Sequence, residues 1–169
     1  MRRVRVCLPV MALLAFASPG FAQSDGNKFI GTWRLISIEG PDAAGDRIAQ
    51  NPVGYIMYDS TGHMAVQIMV RSDRPRFKTE RRSQGTPEEI KAAFVNYTAY
   101  YGTYEVKEKE GIVIHHLEGS LFPNEIGKDN IRYYDLAGDR VTLTVPSMVD
   151  GKIAPKAASP RRLVWERVK

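Results

Sequence analysis

From residue 28 to the C-terminus, short runs rich in Val, Ile, Tyr, Thr and Phe alternate with clusters of turn-forming residues, and that alternation admits little besides an antiparallel sheet. The plainest unit is a hairpin in which residues 52–58 and 63–71 are the strands and Asp59-Ser60-Thr61-Gly62 is the tight turn. Further strands are expected at 29–39, 100–106, 112–118, 130–136, 140–145 and 161–168, about eight in all. Thr86-Pro87-Glu88-Glu89 combines an N-cap threonine, a proline at the first helical position and a glutamate three after the cap. One short helix is therefore expected at about 87–97, with Ile90, Ala93, Phe94 and Tyr97 on its apolar face. A meander of this length removes its unpaired edges by closing. The expected fold class is thus all-β, an eight-stranded antiparallel up-and-down barrel with one short helix inserted mid-chain.

Residues 1–22 stand apart from this pattern. Arg2, Arg3 and Arg5 form a basic leader, 6–16 is an apolar run about half the length of a membrane span, and Gly20-Phe21-Ala22 supplies small residues before a cut. The segment reads as a secretory signal peptide cleaved after Ala22, leaving residues 23–169 as a single domain. Cys7 is the chain's one cysteine and lies inside the leader rather than at its end, which excludes a lipoprotein anchor and leaves the mature chain without disulfides. Cleavage also takes three arginines away and lowers the formal net charge from +5 to about +2, so the basic sequence pI is no argument for nucleic acid. A bacterial periplasmic or secreted protein with no lasting membrane insertion is the expectation.

The first strand carries Gly31 and Trp33 two positions apart, hence on one face. A strand glycine marks a bend or a close backbone approach, and the tryptophan supplies bulk beside it. By period two, an inward Trp33 brings Gly31, Leu35 and Ser37 inward with it.

Taken together, Gly31-Thr32-Trp33-Arg34-Leu35, Pro52-Val53-Gly54-Tyr55, Val66-Gln67-Ile68-Met69, Tyr100-Tyr101-Gly102-Thr103-Tyr104, His115-His116, Ser120-Leu121-Phe122-Pro123-Asn124 and Arg162-Leu163-Val164-Trp165-Glu166-Arg167 resemble a group of bacterial lipocalin-like domains of the calycin superfamily. The resemblance spans nearly all of the mature chain. It departs in two places: the Thr-Asp-Tyr motif of the ligand-carrying lipocalins is represented by Tyr133-Tyr134-Asp135, and the helix sits mid-chain rather than before the last strand. The resemblance implies that a basic residue of the final strand covers the N-terminal tryptophan in a cation–π contact at the closed end. By position Arg161 or Arg162 is the expected partner of Trp33, with Arg167 a poorer candidate.

An eight-stranded barrel holds side chains or one small ligand, so the inward polar residues are the candidate site. On the fifth strand His116 and Glu118 share one face and His115 takes the other. His115 and His116 therefore cannot chelate one ion together, and with His63 the only other histidine no metal site or cofactor is expected. His116 is either a bonded structural histidine or a ligand contact and general acid/base tuned by Glu118. Gln67 lies in a strongly apolar strand and needs partners if buried. Arg132 would pair a ligand carboxylate if it points inward. Tyr100 and Tyr104 share a face, with Gly102 between them leaving room for a ligand. The basic segment 71–82 reads as a solvated loop or, with the helix, as a lid over the barrel mouth. Its one aromatic, Phe77, is too little for single-stranded nucleic acid.

Three readings follow. The first is a carrier of a small, mostly apolar molecule, with or without an acidic group, with Gln67, Tyr100, Tyr104, His116 and Arg132 as polar anchors and a cavity of roughly 300 Å³ or more. The second is a cofactor-free isomerase, cyclase or lyase using His116 as general acid/base beside Glu118. The third is an envelope or protein-interaction module.

Overall fold

In the computed structural model, which describes residues 24–41 and 51–169, the chain opens with a five-residue helix, α1 (Asp25–Phe29), that runs straight into strand β1 (Gly31–Glu39). The expected hairpin follows as β2 (Val53–Tyr58) and β3 (His63–Met69). Its turn is held by Asp59, whose carboxylate accepts from the backbone N–H of Thr61 and of His63. Helix α2 (Pro87–Val95) begins with the expected capping box, in which Thr86 Oγ1 accepts from the Glu89 N–H and the Glu89 carboxylate accepts from the Thr86 N–H. Then come β4 (Tyr97–Lys107), β5 (Ile112–Ser120), β6 (Asp129–Ala137) and β7 (Arg140–Thr144). A two-residue-per-strand hairpin, β8 (Met148–Val149) and β9 (Lys152–Ile153), precedes the final strand β10 (Arg162–Arg167). The leader expected at 1–22 lies outside the described residues.

Eight strands, all but β8 and β9, close in the order β1-β10-β7-β6-β5-β4-β3-β2, every neighbour antiparallel. Alternation places the connections at two ends. The short turns at 59–62, 108–111 and 138–139 share one end with the start of β1 and the finish of β10. The longer connections at 70–96, 121–128 and 145–161 gather at the other, with the finish of β1 and the start of β2. The first end is closed and the second is the mouth.

Apolar rings and α1 seal the closed end. Phe29 and Trp33 are fully buried, and Phe29 meets Tyr58 and Tyr134 edge-on at 5.2 and 5.1 Å between ring centres. Trp33 Nε1–H donates to the Phe29 carbonyl at 2.8 Å, so its one polar atom is satisfied. The cation over Trp33 is Arg167, 4.1 Å from the ring centre, and not Arg161 or Arg162. Antiparallel pairing explains the correction. Trp33, near the start of β1, lies opposite Arg167 at the finish of β10, whereas Arg162 lies opposite Glu39 toward the mouth.

Three further departures from expectation have local causes. β1 shifts register between Leu35 and Ser37, and beyond the shift Ile38, rather than Ser37, lines the interior. The space beside Gly102 is filled by β5 backbone, since a Cβ there would stand 1.9 Å from the His116 carbonyl oxygen; it offers no room to a ligand. The face of α2 expected to be buried is not: Ile90 and Phe94 remain 45% and 43% exposed. Tyr97 belongs to β4, paired with Met69. Among the described residues no helix is long and apolar enough to cross a membrane.

Candidate functional site

A cavity of about 170 Å³ occupies the mouth half of the barrel. Most of its wall is aliphatic: Ile38 from β1, Ile56 from β2, Val66 and Ile68 from β3, Leu143 from β7 and Leu163 from β10, with Trp165 beneath. These side chains line it because inward positions recur every second residue, and a strand closed into a barrel has only one interior to bury them in. The volume falls short of the roughly 300 Å³ expected from the sequence, because paired large side chains from opposite strands fill the rest of the interior.

Four polar groups break the apolar wall: Thr98, Tyr100, His115 and Arg132, joined near the mouth by Arg161. His115 has no exposed surface. Its Nε2 lies 2.8 Å from Tyr58 Oη and its Nδ1 lies 3.0 Å from Tyr100 Oη, so both ring nitrogens are engaged by tyrosines. Burial first, then the charges of Arg132 and His116, hold the imidazole well below the ordinary histidine range, and it is neutral at physiological pH. Burial likewise raises both phenols, that of Tyr100 against the opposing pull of Arg132. Arg132 reaches inward from β6 and donates through Nη1 to the carbonyl of Ile131 at 2.7 Å. Among the described residues none of those lining the cavity is a carboxylate. The cavity is thus an apolar chamber with a positively charged, hydrogen-bonding side.

The structure therefore brings together two of the five expected anchors, Tyr100 and Arg132, and places the other three elsewhere. His116 faces outward, half exposed, with Nδ1 2.7 Å from the Asp129 carboxylate. Glu118 is exposed on the same outer face. Facing solvent, this pair cannot perform acid/base chemistry on a molecule inside the barrel. Parity on β5 is as expected; the inward face is the one carrying Val113, His115 and Leu117. The signal was present, for a glutamate is far more costly to bury than a leucine, and Glu118 shares the His116 face. Gln67 is also outside, where its Oε1 accepts from the Tyr97 hydroxyl at 2.9 Å. Its neighbours Val66 and Ile68 are the inward residues of β3. Tyr104 does turn inward, but four residues beyond Tyr100 it has reached the closed half, where it packs edge-on against Tyr58 at 4.8 Å and donates to the Asp59 carbonyl.

The basic segment joins β3 to β4 at the mouth. Arg71 pairs with Asp73 at 2.8 Å, and Arg74 stacks 5.5 Å from the centre of the Tyr97 ring while donating to the Ala93 carbonyl of α2. Residues 70–96 are thereby tied to the barrel rim.

Residues 30–168 match the family model of a lipocalin-like domain. Over 96 residues the chain is 31% identical to a 4'-hydroxy-3'-methoxypropiophenone carrier protein of Aspergillus oryzae, an alignment covering 52% of this chain and 86% of that protein. Among solved structures, a variant of the fluorescent protein UnaG is similar with a TM-score of 0.36 and 11% identity, over 83% of this chain and 96% of that one. The family and the carrier relative support a ligand-binding or carrying role for the barrel. With the family match running from the start of β1 to the end of β10, and with eight antiparallel strands closed around an internal cavity, this chain belongs to the lipocalin-like domain family.

Proposed function

We propose that the protein binds and carries a small, mostly apolar organic acid, about the size of one aromatic ring, in the mouth half of its barrel. The observation that carries this reading is the wall of the cavity: aliphatic and aromatic except for the polar groups of Tyr100, His115, Arg132, Thr98 and Arg161, and without a carboxylate among the described residues. Hydrocarbon walls favour an apolar body, while a guanidinium in a low-dielectric site favours an anionic oxygen. Size follows from volume, since a dry cavity of about 150 Å³ takes benzene and a two-ring molecule does not fit in that space. The relative from Aspergillus oryzae supports the carrier role and a one-ring ligand, being named for carrying 4'-hydroxy-3'-methoxypropiophenone.

Trp165 lines the cavity and serves as a built-in reporter. Titration of the protein with benzoate, phenylacetate and 2-naphthoate, followed by tryptophan fluorescence and checked by calorimetry, tests the reading. The one-ring acids are expected to bind with dissociation constants in the micromolar range, and naphthoate at least tenfold more weakly. Arg132→Gln should weaken benzoate by about 10–100-fold, the range for a lost charge-assisted hydrogen bond. Absence of binding by both one-ring acids at millimolar concentration, or an unchanged affinity in Arg132→Gln, overturns the proposal.

In the same reading the carrier works outside the cytoplasm, in a bacterial periplasm or secreted, which the basic leader, its apolar run and the cysteine-free remainder support. Intact-mass measurement on the periplasmic fraction of an expressing bacterium is expected to find a chain starting at Gln23. A full-length chain retained in the cytoplasm would be inconsistent with export.

A further inference from the structure

The cavity's polar side contains a hydrogen-bonded chain, Tyr58–His115–Tyr100, whose direction depends on which ring nitrogen of His115 carries the proton. Three protons are available to it, one on each hydroxyl and one on the neutral imidazole, and its two hydrogen bonds use two of them. One hydroxyl proton is left over. It belongs either to Tyr58 or to Tyr100, according to which ring nitrogen of His115 is protonated.

The two places differ sharply. Tyr58 is 2% exposed and surrounded by the rings of Phe29 and Tyr104 in the closed half, so a spare proton there would be a buried donor without an acceptor. Tyr100 lines the cavity, where a spare proton meets whatever occupies it. The favoured arrangement has Tyr58 O–H donating to Nε2, Nδ1–H donating to Tyr100 Oη, and the Tyr100 O–H turned into the cavity.

Resting on the carrier reading above, we propose that Tyr58 and His115 are positioning residues that aim the Tyr100 hydroxyl at the bound molecule, so that Tyr100 and Arg132 together present only hydrogen-bond donors to it. The ligand class this selects is an apolar ring bearing an acceptor oxygen, a carboxylate or a phenolate. A ring with a donor-only polar group is rejected, because it would leave those buried donors unpaired. Tyr58 does not line the cavity, yet it takes part in specificity through His115.

Two measurements on the intact protein test this. In a long-range nitrogen–proton NMR spectrum of the ligand-free protein, His115 Nδ1 is expected to be the protonated, pyrrole-type nitrogen and Nε2 the pyridine-type one. A protonated Nε2 overturns the proposal without reference to any ligand. The second measurement is the ratio of benzoate to toluene affinity in wild type, Tyr58→Phe and Tyr100→Phe, both volume-conserving changes. Tyr100→Phe should reduce that ratio about tenfold. Tyr58→Phe should reduce it about three- to tenfold, since Tyr100 can then turn its proton back onto Nδ1, and the NMR spectrum should show mixed tautomers. An unchanged ratio in Tyr58→Phe, with benzoate still binding wild type, overturns the positioning role alone. Wild-type protein that takes toluene but not benzoate overturns the acid-carrier reading and this proposal with it.

Discussion

Arg167 lies against Gly31 so closely that a single added carbon would collide with it: a Cβ on Gly31 would stand 2.8 Å from Arg167 Nη1. The same guanidinium covers Trp33 and donates to the carbonyls of Ile30 and Lys28, the last turn of α1. Gly31 also holds φ +134°, a conformation side-chain-bearing residues rarely adopt. The Gly-x-Trp triplet is therefore half of a three-part clasp that joins the first strand, the last strand and the plugging helix.

Gly31→Ala should accordingly destabilise the fold by about 1–3 kcal/mol from backbone strain, and by more once the guanidinium is displaced. Arg167→Lys keeps the charge but loses the planar stack and the paired donation, with an expected loss of about 2–3 kcal/mol. Urea unfolding measures both. Because the clasp sits at the closed end, benzoate affinity of folded protein should change less than twofold; a large affinity loss would mean the two ends are coupled.

The outward residues make a contrasting set. His116→Ala, Glu118→Ala and Gln67→Ala all alter the outer face, and each is expected to leave benzoate affinity within twofold of wild type and stability within about 0.5 kcal/mol, the usual range for surface changes. A tenfold loss of affinity in His116→Ala would contradict the placement of that ring beside Asp129.

How far the sequence could be read depended on the kind of information each feature carries. Turn chemistry and strand composition are local, so the hairpin at Asp59 and the capping box at Thr86 were visible, and the barrel followed from the number of strands. Alternation on β5 is legible too, but which face is inside depends on what lies across the barrel, so alternation alone does not choose between His115 and His116. The bulge after Leu35 moved Ser37 out of the interior, an event two-residue periodicity cannot register. The match of Trp33 to Arg167 is not legible in the sequence, because relative offset between β1 and β10 is a pairing property, absent from either strand alone. Tyr58, the far member of the buried chain, looked like any strand tyrosine.

Cavity size should control ligand size. Ile68 is nearly buried and lines the chamber. Ile68→Ala enlarges it by about three carbon atoms and should lower stability by about 2–4 kcal/mol, the usual range for such truncations. In exchange, the affinity for 2-naphthoate relative to benzoate should rise at least fivefold. Titration of the folded variant with both acids decides the matter, and an unchanged preference would place the ligand elsewhere.

His115 also predicts how stability responds to acid. Burial and the facing charges of Arg132 and His116 keep its imidazole neutral in the folded protein, while in the unfolded chain it takes up a proton near pH 6.5. Below that pH the unfolded state binds one more proton than the native state at this position, so lowering the pH favours unfolding and raising it favours folding. The contribution is complete above about pH 7 and declines by about 1.4 kcal/mol for each unit below 6.5, until the depressed folded-state value is reached. Tyr58 and Tyr100, which flank the ring, have raised phenol values and stay protonated throughout this window. The lowered carboxyl values of Asp25, Asp59 and Asp73 affect stability only as pH falls toward 4 and below. Between pH 6.5 and 5 His115 adds a slope of its own. Urea unfolding across that interval should therefore show a steep loss of stability in wild type and a clearly shallower one in His115→Gln, whatever that variant's absolute stability at pH 7. Equal slopes in the two proteins would mean that the buried imidazole is already protonated in the folded barrel, and the donor direction assigned to Tyr100 would fall with it.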